Sequence, residues 1–440
     1  MCVTSAREAT QSGPAPIALD PTPINQHKIC TPLRPQTFAL LLNNHPDQAF
    51  VSKLITSLQT GFDIGYSGPH SPLIVPNLHS ASIHPHIVDE ALEKEIQENR
   101  IAGPYHSPPF VNLRCSGLGV VPKKDGGWRL IYHLSAPTNQ SINDYIDPTT
   151  YSLQYSTIDD AIKICHEVGK GALLAKVDLK NAFRLCLVRP DDWHLLGIRW
   201  RGQFYVDKCL PFGLRSAPFL FNMVADSLEW ILRYHFHQQY CFHYLDDFFF
   251  AGPPQTDACM VALMDMIQLC GQVGALIKPE KVIGPTTSLP LLGILLDTIN
   301  QEAKLPDDKL VALLSELAEF KKWATIKQTS SKRKLLSLIG KLSFACKVVP
   351  AGRIFLRRLL NIAHSVQHLE DQVHITSEAL LDIEWWLQFA STWNGKAFFS
   401  RPQLDASRSI PVVHGCFWYF RLRRLLGRVM AQSRMATRST

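Results

Sequence analysis

The stretch YCFHYLDDFFFAG, residues 240–252, decides the fold of this chain. It places two adjacent carboxylates, Asp246 and Asp247, between two aromatic runs, a pattern that predicts a β-hairpin with the acidic pair at its turn. Like charges beside a hydrophobic core are costly unless a cation neutralises them. Taken alone, the pair leaves two interpretations open: an ordinary Asp-containing turn or a metal site.

Two segments upstream of this hairpin extend the pattern. The apolar strand ALLAKVDL, residues 172–179, carries Asp178 near its end, a natural place for a third carboxylate facing the hairpin. Between the two lies LPFG, residues 210–213, which predicts a rigid turn into a helix, and its glycine lets the backbone approach a ligand closely. Many strands end in an aspartate, so the ordered set, and not its parts, indicates a functional site.

The remaining periodicity predicts an α+β fold. Apolar residues at helical spacing predict helices on both sides of the acidic hairpin, and Asp-Gly between two apolar runs predicts a second hairpin near residue 125. The predicted elements are helices at 87–100, 158–168, 216–235, 256–273, 306–322, 331–346, 352–364 and 377–390, a short helix within 36–60, an apolar segment around 194–206 and a strand at 289–297. This order is typical of an antiparallel sheet with packed helices, followed by a helical region.

In this order the segments resemble reverse transcriptases, with the strand aspartate, LPFG and YLDD standing as palm motifs A, B and C. Upstream, VPKKDGGWRL at 121–130 is similar to the fingers hairpin that folds over the incoming nucleotide. Downstream, LIKPEK at 276–281 is similar to motif D, and LLGI at 291–294 to the primer-grip segment. The resemblance covers roughly residues 85–400. It implies a right-hand polymerase with fingers, an antiparallel palm sheet, a helical thumb and a connection segment.

The resemblance also suggests how the chain is divided. Residues 1–85 are expected to be a flexible leader rich in Pro and Ser, and residues 86–300 to form fingers and palm. A helical thumb is expected over 301–365 and a connection segment over 366–400. Residues 401–440 are expected to be the truncated or frame-shifted start of a ribonuclease H-like domain.

That last expectation depends on Asp405. LDAS resembles the opening strand of a ribonuclease H domain, with Asp405 as its first metal ligand, but no acidic residue follows it. Because such a site needs four carboxylates, we expect ribonuclease H activity to be absent from this chain.

The catalytic expectation is nucleotide addition by two Mg²⁺ ions, with Mn²⁺ as an alternative. Hard, small Mg²⁺ prefers carboxylate and phosphate oxygens, so acidic residues are required. By resemblance, Asp178 bridges both metals, Asp246 joins it and Asp247 is the supporting carboxylate. Lys281 is expected to donate a proton to the leaving pyrophosphate, and Lys278 competes for that role.

The nucleotide-binding expectation concerns the fingers hairpin and the LPFG turn. Lys123 and Arg129 are expected to hold the triphosphate and to counter charge that grows on the leaving group. Phe212 and Gly213 are expected to line the nucleotide site. Phe183 follows Asp178 by five residues, where reverse transcriptases place an aromatic ring against the 2′ position of the sugar, which selects deoxynucleotides.

A finer resemblance is to retrotransposon enzymes, and to the DIRS-type (tyrosine-recombinase) elements in particular. It rests on WRLIYHLS at 128–135 together with SIND at 141–144. Retroviral enzymes carry Asp and then Arg after the tryptophan–arginine pair, where this chain has His133 and Ser135.

These motifs predict an RNA-directed DNA polymerase of a retrotransposon. Its expected partners are an RNA template, a DNA primer, the RNA–DNA hybrid and deoxynucleoside triphosphates. Two alternatives stand beside it: a catalytically dead retroelement fragment that only binds nucleic acid, and an RNA-templated RNA polymerase, which Phe183 disfavours. The oligomeric state is left open.

Composition adds two exclusions. There is no apolar run of roughly 18 residues, which predicts no membrane span. The 11 cysteines are scattered without a Cys-x-x-Cys pair, which favours free thiols in a reducing, intracellular compartment, whether cytoplasm or nucleus. The net charge of +7 resides in the arginines of residues 406–440, since residues 1–405 hold equal numbers of basic and acidic residues, so global charge does not identify the partner.

Overall fold

The computed structural model describes residues 31–123 and 126–397. Its α-helices are α1 (Pro35–Leu41), α2 (Gln48–Thr60), α3 (His79–Ile83), α4 (Pro85–Gln97), α5 (Ile158–Val168), α6 (Ala217–His235), α7 (Ala258–Val273), α8 (Asp307–Lys327), α9 (Lys332–Ala345), α10 (Arg357–His364) and α11 (Ser377–Phe389). Its strands are β1 (Leu73–Ile74), β2 (Ile101–Tyr105), β3 (Arg114–Cys115), β4 (Gly117–Pro122), β5 (Trp128–His133), β6 (Leu173–Asp178), β7 (Gly197–Trp200), β8 (Gln203–Asp207), β9 (Cys241–Tyr244), β10 (Asp247–Gly252), β11 (Ile283–Thr286), β12 (Ser288–Leu291), β13 (Ile294–Asp297), β14 (Glu302–Lys304), β15 (Thr329–Ser331), β16 (Gln372–His374) and β17 (Lys396–Ala397).

The palm sheet has the strand order β11-β6-β10-β9 and is antiparallel throughout. Because side chains alternate across a strand, the run of three phenylalanines in β10 divides between two cores. Phe248 and Phe250 face a core that includes α6 and α7, whereas Phe249 faces a second core that includes α5 and the helices of the C-terminal part. The sheet is therefore covered on both faces, and only the ends of its strands are left for a site.

The predicted flexible leader is wrong for residues 31–85. These residues include α1, α2 and α3, and Phe38, Leu54 and Phe62 are buried in the same core as the palm strands. Asp47 caps α2, since its carboxylate accepts a hydrogen bond from the Phe50 N–H at 2.8 Å. The short helix predicted within 36–60 corresponds to α1 and α2.

The fingers region consists of a five-stranded sheet, ordered β1-β3-β7-β8-β2, and the separate β4–β5 hairpin. The hairpin predicted near residue 125 is confirmed by the antiparallel register that pairs Val121 with Arg129 and Pro122 with Trp128. The apolar segment predicted around 194–206 is itself a hairpin, β7 and β8, that turns at Arg201 and Gly202.

The C-terminal part combines the sheet β12-β13-β14-β17 with helices α8 to α11. The single strand predicted at 289–297 is wrong. The chain turns at Leu292 and Gly293, both at positive φ (47° and 81°), and folds into the β12–β13 hairpin. The helix predicted at 352–364 is a 3₁₀ segment, Pro350–Leu356, followed by α10.

Two further predictions meet the structure only in part. All cysteines within the described ranges are free and buried thiols, and no helix there combines the length and apolar character needed to cross a bilayer. The boundaries proposed at 300 and 365 stay predictions. The expected ribonuclease H remnant, with Asp405, lies outside the described residues.

Candidate active site

The three predicted metal ligands lie on adjoining strand ends of the palm sheet. Asp178 ends β6 and is paired in register with Asp247, the first residue of β10. Asp246 stands in the turn before β10, where its carbonyl accepts a hydrogen bond from the Leu179 N–H at 3.0 Å. Leu245, beside it, adopts a φ of 53°, a conformation that non-glycine residues rarely take and that is often found at functional sites.

The electrostatics of this group indicate an excess of negative charge. Burial, followed by repulsion from Asp178, raises the pKa of Asp246 to about 6. Burial also raises the pKa of Asp247, against the opposing attraction of Lys176. Both effects mean that the site disfavours its own full ionisation and would be stabilised by additional positive charge.

Part of that charge comes from Lys278, whose ammonium forms an ion pair with the Asp178 carboxylate. The backbone fixes this arrangement, because the Lys278 N–H donates to the Asp178 carbonyl at 3.1 Å. Lys278 also lowers the pKa of both Asp246 and Asp247, though burial outweighs it. Among the predicted lysines it is Lys278 that contacts a site carboxylate. Lys281 lies one 3₁₀ turn further on and lowers the pKa of Asp247 less than Lys278 does.

The site's donor chemistry suits a hard divalent cation. Carboxylate oxygens are the ligands that Mg²⁺ prefers. Three carboxylates lie here, on two paired strand ends and in the adjoining tight turn, and the backbone pairing fixes these elements in place. Within the described ranges, no three His, Cys, Asp or Glu side chains already stand together as a ligand group. The Lys278 ammonium already forms an ion pair with Asp178. On metal binding, the Asp178 carboxylate would exchange this ammonium for the metal ion.

Four of the five predicted nucleotide-binding residues are brought together. The Arg129 guanidinium lies over the Phe212 ring at 5.1 Å, and the Phe212 and Phe183 ring centroids are 5.4 Å apart. Gly213 has a φ of 101°, and a Cβ there would lie 2.8 Å from the Tyr132 carbonyl oxygen, so glycine is required on both counts.

Lys123 is at a different position from that group. It is exposed at the tip of the β4–β5 hairpin, where its N–H donates to the Gly127 carbonyl at 2.7 Å. The tip residues that follow it, 124 and 125, lie outside the described ranges. Its role toward the triphosphate stays a prediction.

Sequence reasoning missed the residue that joins the fingers hairpin to the LPFG turn. Asn143 is 5% exposed, and its side chain bonds the backbone on both sides of Leu214. In the sequence, the SIND motif that contains it indicated only a subfamily resemblance. Asn143 stands among polar residues such as Ser141 and Asp144, so no local signal in the sequence sets it apart.

A buried ion cluster beneath the same turn was also missed. Arg184 pairs with Glu95 at 2.7 Å and with Asp207 at 2.8 Å, and its Nη1 lies 3.4 Å from the Leu210 carbonyl oxygen of the LPFG segment. Burial alone would raise the pKa of Glu95, but its bonds to Arg100 and Arg184 lower it to about 2. This cluster supports the turn on which the nucleotide-binding residues meet.

Residues 121–296 match the family model described as reverse transcriptase (RNA-dependent DNA polymerase). The match contains the last two residues of β4, all of β5, the LPFG turn and all three aspartates. This segment is therefore similar to a reverse transcriptase domain.

Related proteins agree with this assignment. A stretch of 279 residues is 23% identical to the Gag-Pro-Pol polyprotein of Human T-cell leukemia virus 3 (strain 2026ND), covering 62% of this chain and 18% of that protein. The Transposon Tf2-3 polyprotein of Schizosaccharomyces pombe is 24% identical over 139 residues, covering 32% of this chain and 10% of that protein. The chain therefore matches less than a fifth of the length of these relatives.

Solved structures confirm the right-hand polymerase fold. A foamy viral protease-reverse transcriptase in complex with an RNA/DNA hybrid matches with a TM-score of 0.56 and 15% identity, covering 82% of this chain and 46% of the other. The same viral protein in complex with dsDNA matches with a TM-score of 0.54, also at 15% identity, covering 86% and 75%. The predicted α+β class is thus confirmed. The finer DIRS-type resemblance stays a prediction.

Proposed function

We propose that the chain is the RNA-directed DNA polymerase of a retroelement, transferring a nucleotide from a deoxynucleoside triphosphate to a primer 3′-hydroxyl. The observation that carries the proposal is the pairing of Asp178 with Asp247 across β6 and β10, with Asp246 in the adjoining turn. Under-neutralised carboxylates at the end of a sheet that is otherwise covered are an arrangement suited to binding cations and phosphate groups.

The cofactor we propose is a pair of Mg²⁺ ions, for which Mn²⁺ could substitute, held by Asp178, Asp246 and Asp247. When bound, two such ions activate the attacking hydroxyl and stabilise the oxygens of the leaving pyrophosphate. The protein's own contribution is to hold the carboxylates at adjoining positions through the strand pairing. For proton donation to pyrophosphate we retain Lys281 as the predicted residue. Its neighbour Lys278, already among the carboxylates, is the stronger competitor on this geometry.

The nucleotide site we propose extends from the carboxylates to the fingers hairpin. Arg129 and Lys123 would pair with triphosphate oxygens as charge-assisted donors. Phe183, half-buried and held between Phe212 and Phe221, has little room to move. A fixed ring five residues from Asp178 would exclude a ribose 2′-hydroxyl and so favour DNA synthesis.

The proposed partners are an RNA template, a DNA primer and the hybrid they form. The similar foamy viral structures hold dsDNA or an RNA/DNA hybrid, which supports a nucleic-acid partner here. A retrotransposon of the DIRS type is the proposed source. The absence of ribonuclease H activity stays a prediction that concerns residues outside the described ranges.

The test is primer extension on an RNA template with deoxynucleotides and Mg²⁺. The wild type should extend the primer, and Asp246→Asn should lose at least about a thousandfold in rate because one metal ligand is weakened. Asp308→Asn, an exposed carboxylate in the first turn of α8, is the matched control and should extend normally. Folded wild-type protein that binds template–primer without extending it would instead favour a catalytically dead fragment.

A further inference from the structure

The backbone and side chain of Asn143 together make four hydrogen bonds to residues outside its own turn. Its backbone N–H donates to the Leu134 carbonyl at 3.0 Å, just past the end of the fingers hairpin. Its side-chain Nδ2 donates to the Ser135 hydroxyl at 2.9 Å and to the Gly213 carbonyl at 2.8 Å. Its Oδ1 accepts from the Arg215 N–H at 2.8 Å. A single amide thus joins the hairpin base to the LPFG turn.

The chemistry of these bonds requires an amide. Gly213 offers a carbonyl and Arg215 offers an N–H, so the group between them has to donate on one side and accept on the other. An asparagine does both, whereas an aspartate would set a carboxylate oxygen against the Gly213 carbonyl. Because Asn143 is buried, water is a poor substitute for either bond.

The turn that Asn143 holds carries the residues proposed to bind the nucleotide. Phe212 directly precedes Gly213, and its ring contacts both the Arg129 guanidinium and the Phe183 ring. Gly213 is also packed closely against the backbone of Tyr132 in β5. A shift of the turn would therefore move Phe212 relative to the proposed triphosphate donor on one side and the proposed sugar gate on the other.

We propose that Asn143 is a positioning residue for the incoming deoxynucleotide, acting through the backbone of the LPFG turn and not through contact with the substrate. The inference rests on the proposed polymerase function. Its consequence is selective: losing the amide weakens deoxynucleotide binding, while the turnover rate at saturation and the affinity for template–primer change little.

The experiment compares Asn143→Ala and Asn143→Asp with the wild type in steady-state primer extension, measuring KM for the deoxynucleotide, kcat and the Kd for template–primer. KM should rise on the order of tenfold in both variants, because buried partners are left unpaired. Turnover should stay within about threefold, since the metal-binding carboxylates are untouched. Ser135→Ala, which removes only one acceptor of the amide, should give a smaller rise in KM.

Asn394 supplies the matched control. This residue lies in the C-terminal part of the chain, and its side-chain amide also bonds both a backbone N–H and a backbone carbonyl. It accepts from the Leu305 N–H at 2.8 Å and donates to the Leu305 carbonyl at 3.0 Å. Asn394→Ala should lower the melting temperature by an amount similar to Asn143→Ala and leave KM for the deoxynucleotide unchanged.

The outcomes separate the two proposals. A wild type that fails to extend the primer would count against the polymerase function itself. A wild type that extends, with unchanged KM in Asn143→Ala or an equal rise in Asn394→Ala, would overturn the positioning role. If Asn143→Ala does not fold, the aspartate and Ser135→Ala variants decide the question by the same measurement.

Discussion

The segment from Asp178 to Arg184 connects two carboxylate clusters whose charges are balanced very differently. At its far end, Arg184 is buried with Glu95 and Asp207, and Arg100 completes the group. Two guanidinium groups thus face the two more buried carboxylates, and Arg100 also pairs with the more exposed Glu98. Glu95 is held ionised, with its pKa lowered to about 2.

At the near end the balance is the opposite. Three carboxylates share a strand end and a turn, and in the described part of the chain Lys278 is the one cation paired with any of them. The pKa of Asp246 is raised to about 6. A cluster that only stabilises the fold is neutralised internally, whereas the proposed active site is left short of positive charge, which a metal ion would supply.

The largest expected effect tests the balanced cluster. Arg184→Met should destabilise the protein by about 3–5 kcal/mol, because the buried Asp207 carboxylate loses its cationic partner and Glu95 keeps only Arg100. Urea unfolding measures the change. Arg201→Met, which removes an exposed pair with Asp89, is the control and should cost less than about 1 kcal/mol. Equal losses in the two variants would mean that burial does not distinguish these ion pairs.

A pH experiment sharpens the comparison through Glu95. Its folded pKa of about 2 lies below the unfolded value of 4.5, so its contribution is fully present above pH 4.5 and is lost as pH falls toward 2. We expect the stability difference between wild type and Glu95→Gln, about 2–3 kcal/mol near pH 7, to shrink steadily below pH 4.5. Glu93→Gln, exposed on the same helix, should show no such trend; a constant gap for Glu95→Gln would contradict the assignment.

In the proposed active site, replacing a carboxylate is expected to raise the stability of the fold. Without divalent metal, Asp246→Asn should stabilise the fold by about 1–2 kcal/mol near pH 7, because it removes a charge that burial and Asp178 both disfavour. Added Mg²⁺ should raise the melting temperature of the wild type more than that of the variant. Thermal unfolding with and without Mg²⁺ tests both statements, and a destabilised Asp246→Asn would remove the distinction between the clusters.

The smallest expected effect concerns Lys278. Because its ammonium partly neutralises the site, Lys278→Gln should bind Mn²⁺ about five- to tenfold more tightly, or about 1 kcal/mol. Electron paramagnetic resonance of free Mn²⁺ during titration measures this without any assay of activity. Lys281→Gln, which removes a weaker attraction to Asp247 than that of Lys278, should change the affinity less than about twofold. Weaker binding by Lys278→Gln would show that the lysine supports the metal site and does not compete with it.

Much of the fold could be predicted because its signals are local. The two apolar runs around the acidic pair, and apolar spacing in helices such as α5 and α6, need no knowledge of distant contacts. The turn at Leu292–Gly293 was missed because it lies inside a continuous apolar run. The helices within 31–60 were underestimated because their order comes from burial against the palm, and local composition does not encode that packing.

In the candidate site, too, local motifs could be predicted from the sequence and long-range contacts could not. Motif order indicated Asp178, Asp246 and Asp247, and the palm sheet pairs Asp178 in register with Asp247. Asn143 and Glu95 could not be found in this way, since their partners lie 70 and 89 residues away in sequence. Lys278 could be named as a competitor of Lys281, but only the backbone pairing of Lys278 with Asp178 shows which lysine reaches a carboxylate.

The burial of α1 and α2 sets the smallest stretch of sequence that could be exchanged between related proteins as a module. A transfer limited to residues 121–296, the borders of the family match, would leave behind Phe38, Leu54 and Phe62, which fill the core beneath the palm. The recipient would hold every motif on a sheet with one hydrophobic flank open to water. Recombination that preserves function therefore has to carry the two N-terminal helices along, although they contribute none of the proposed site residues.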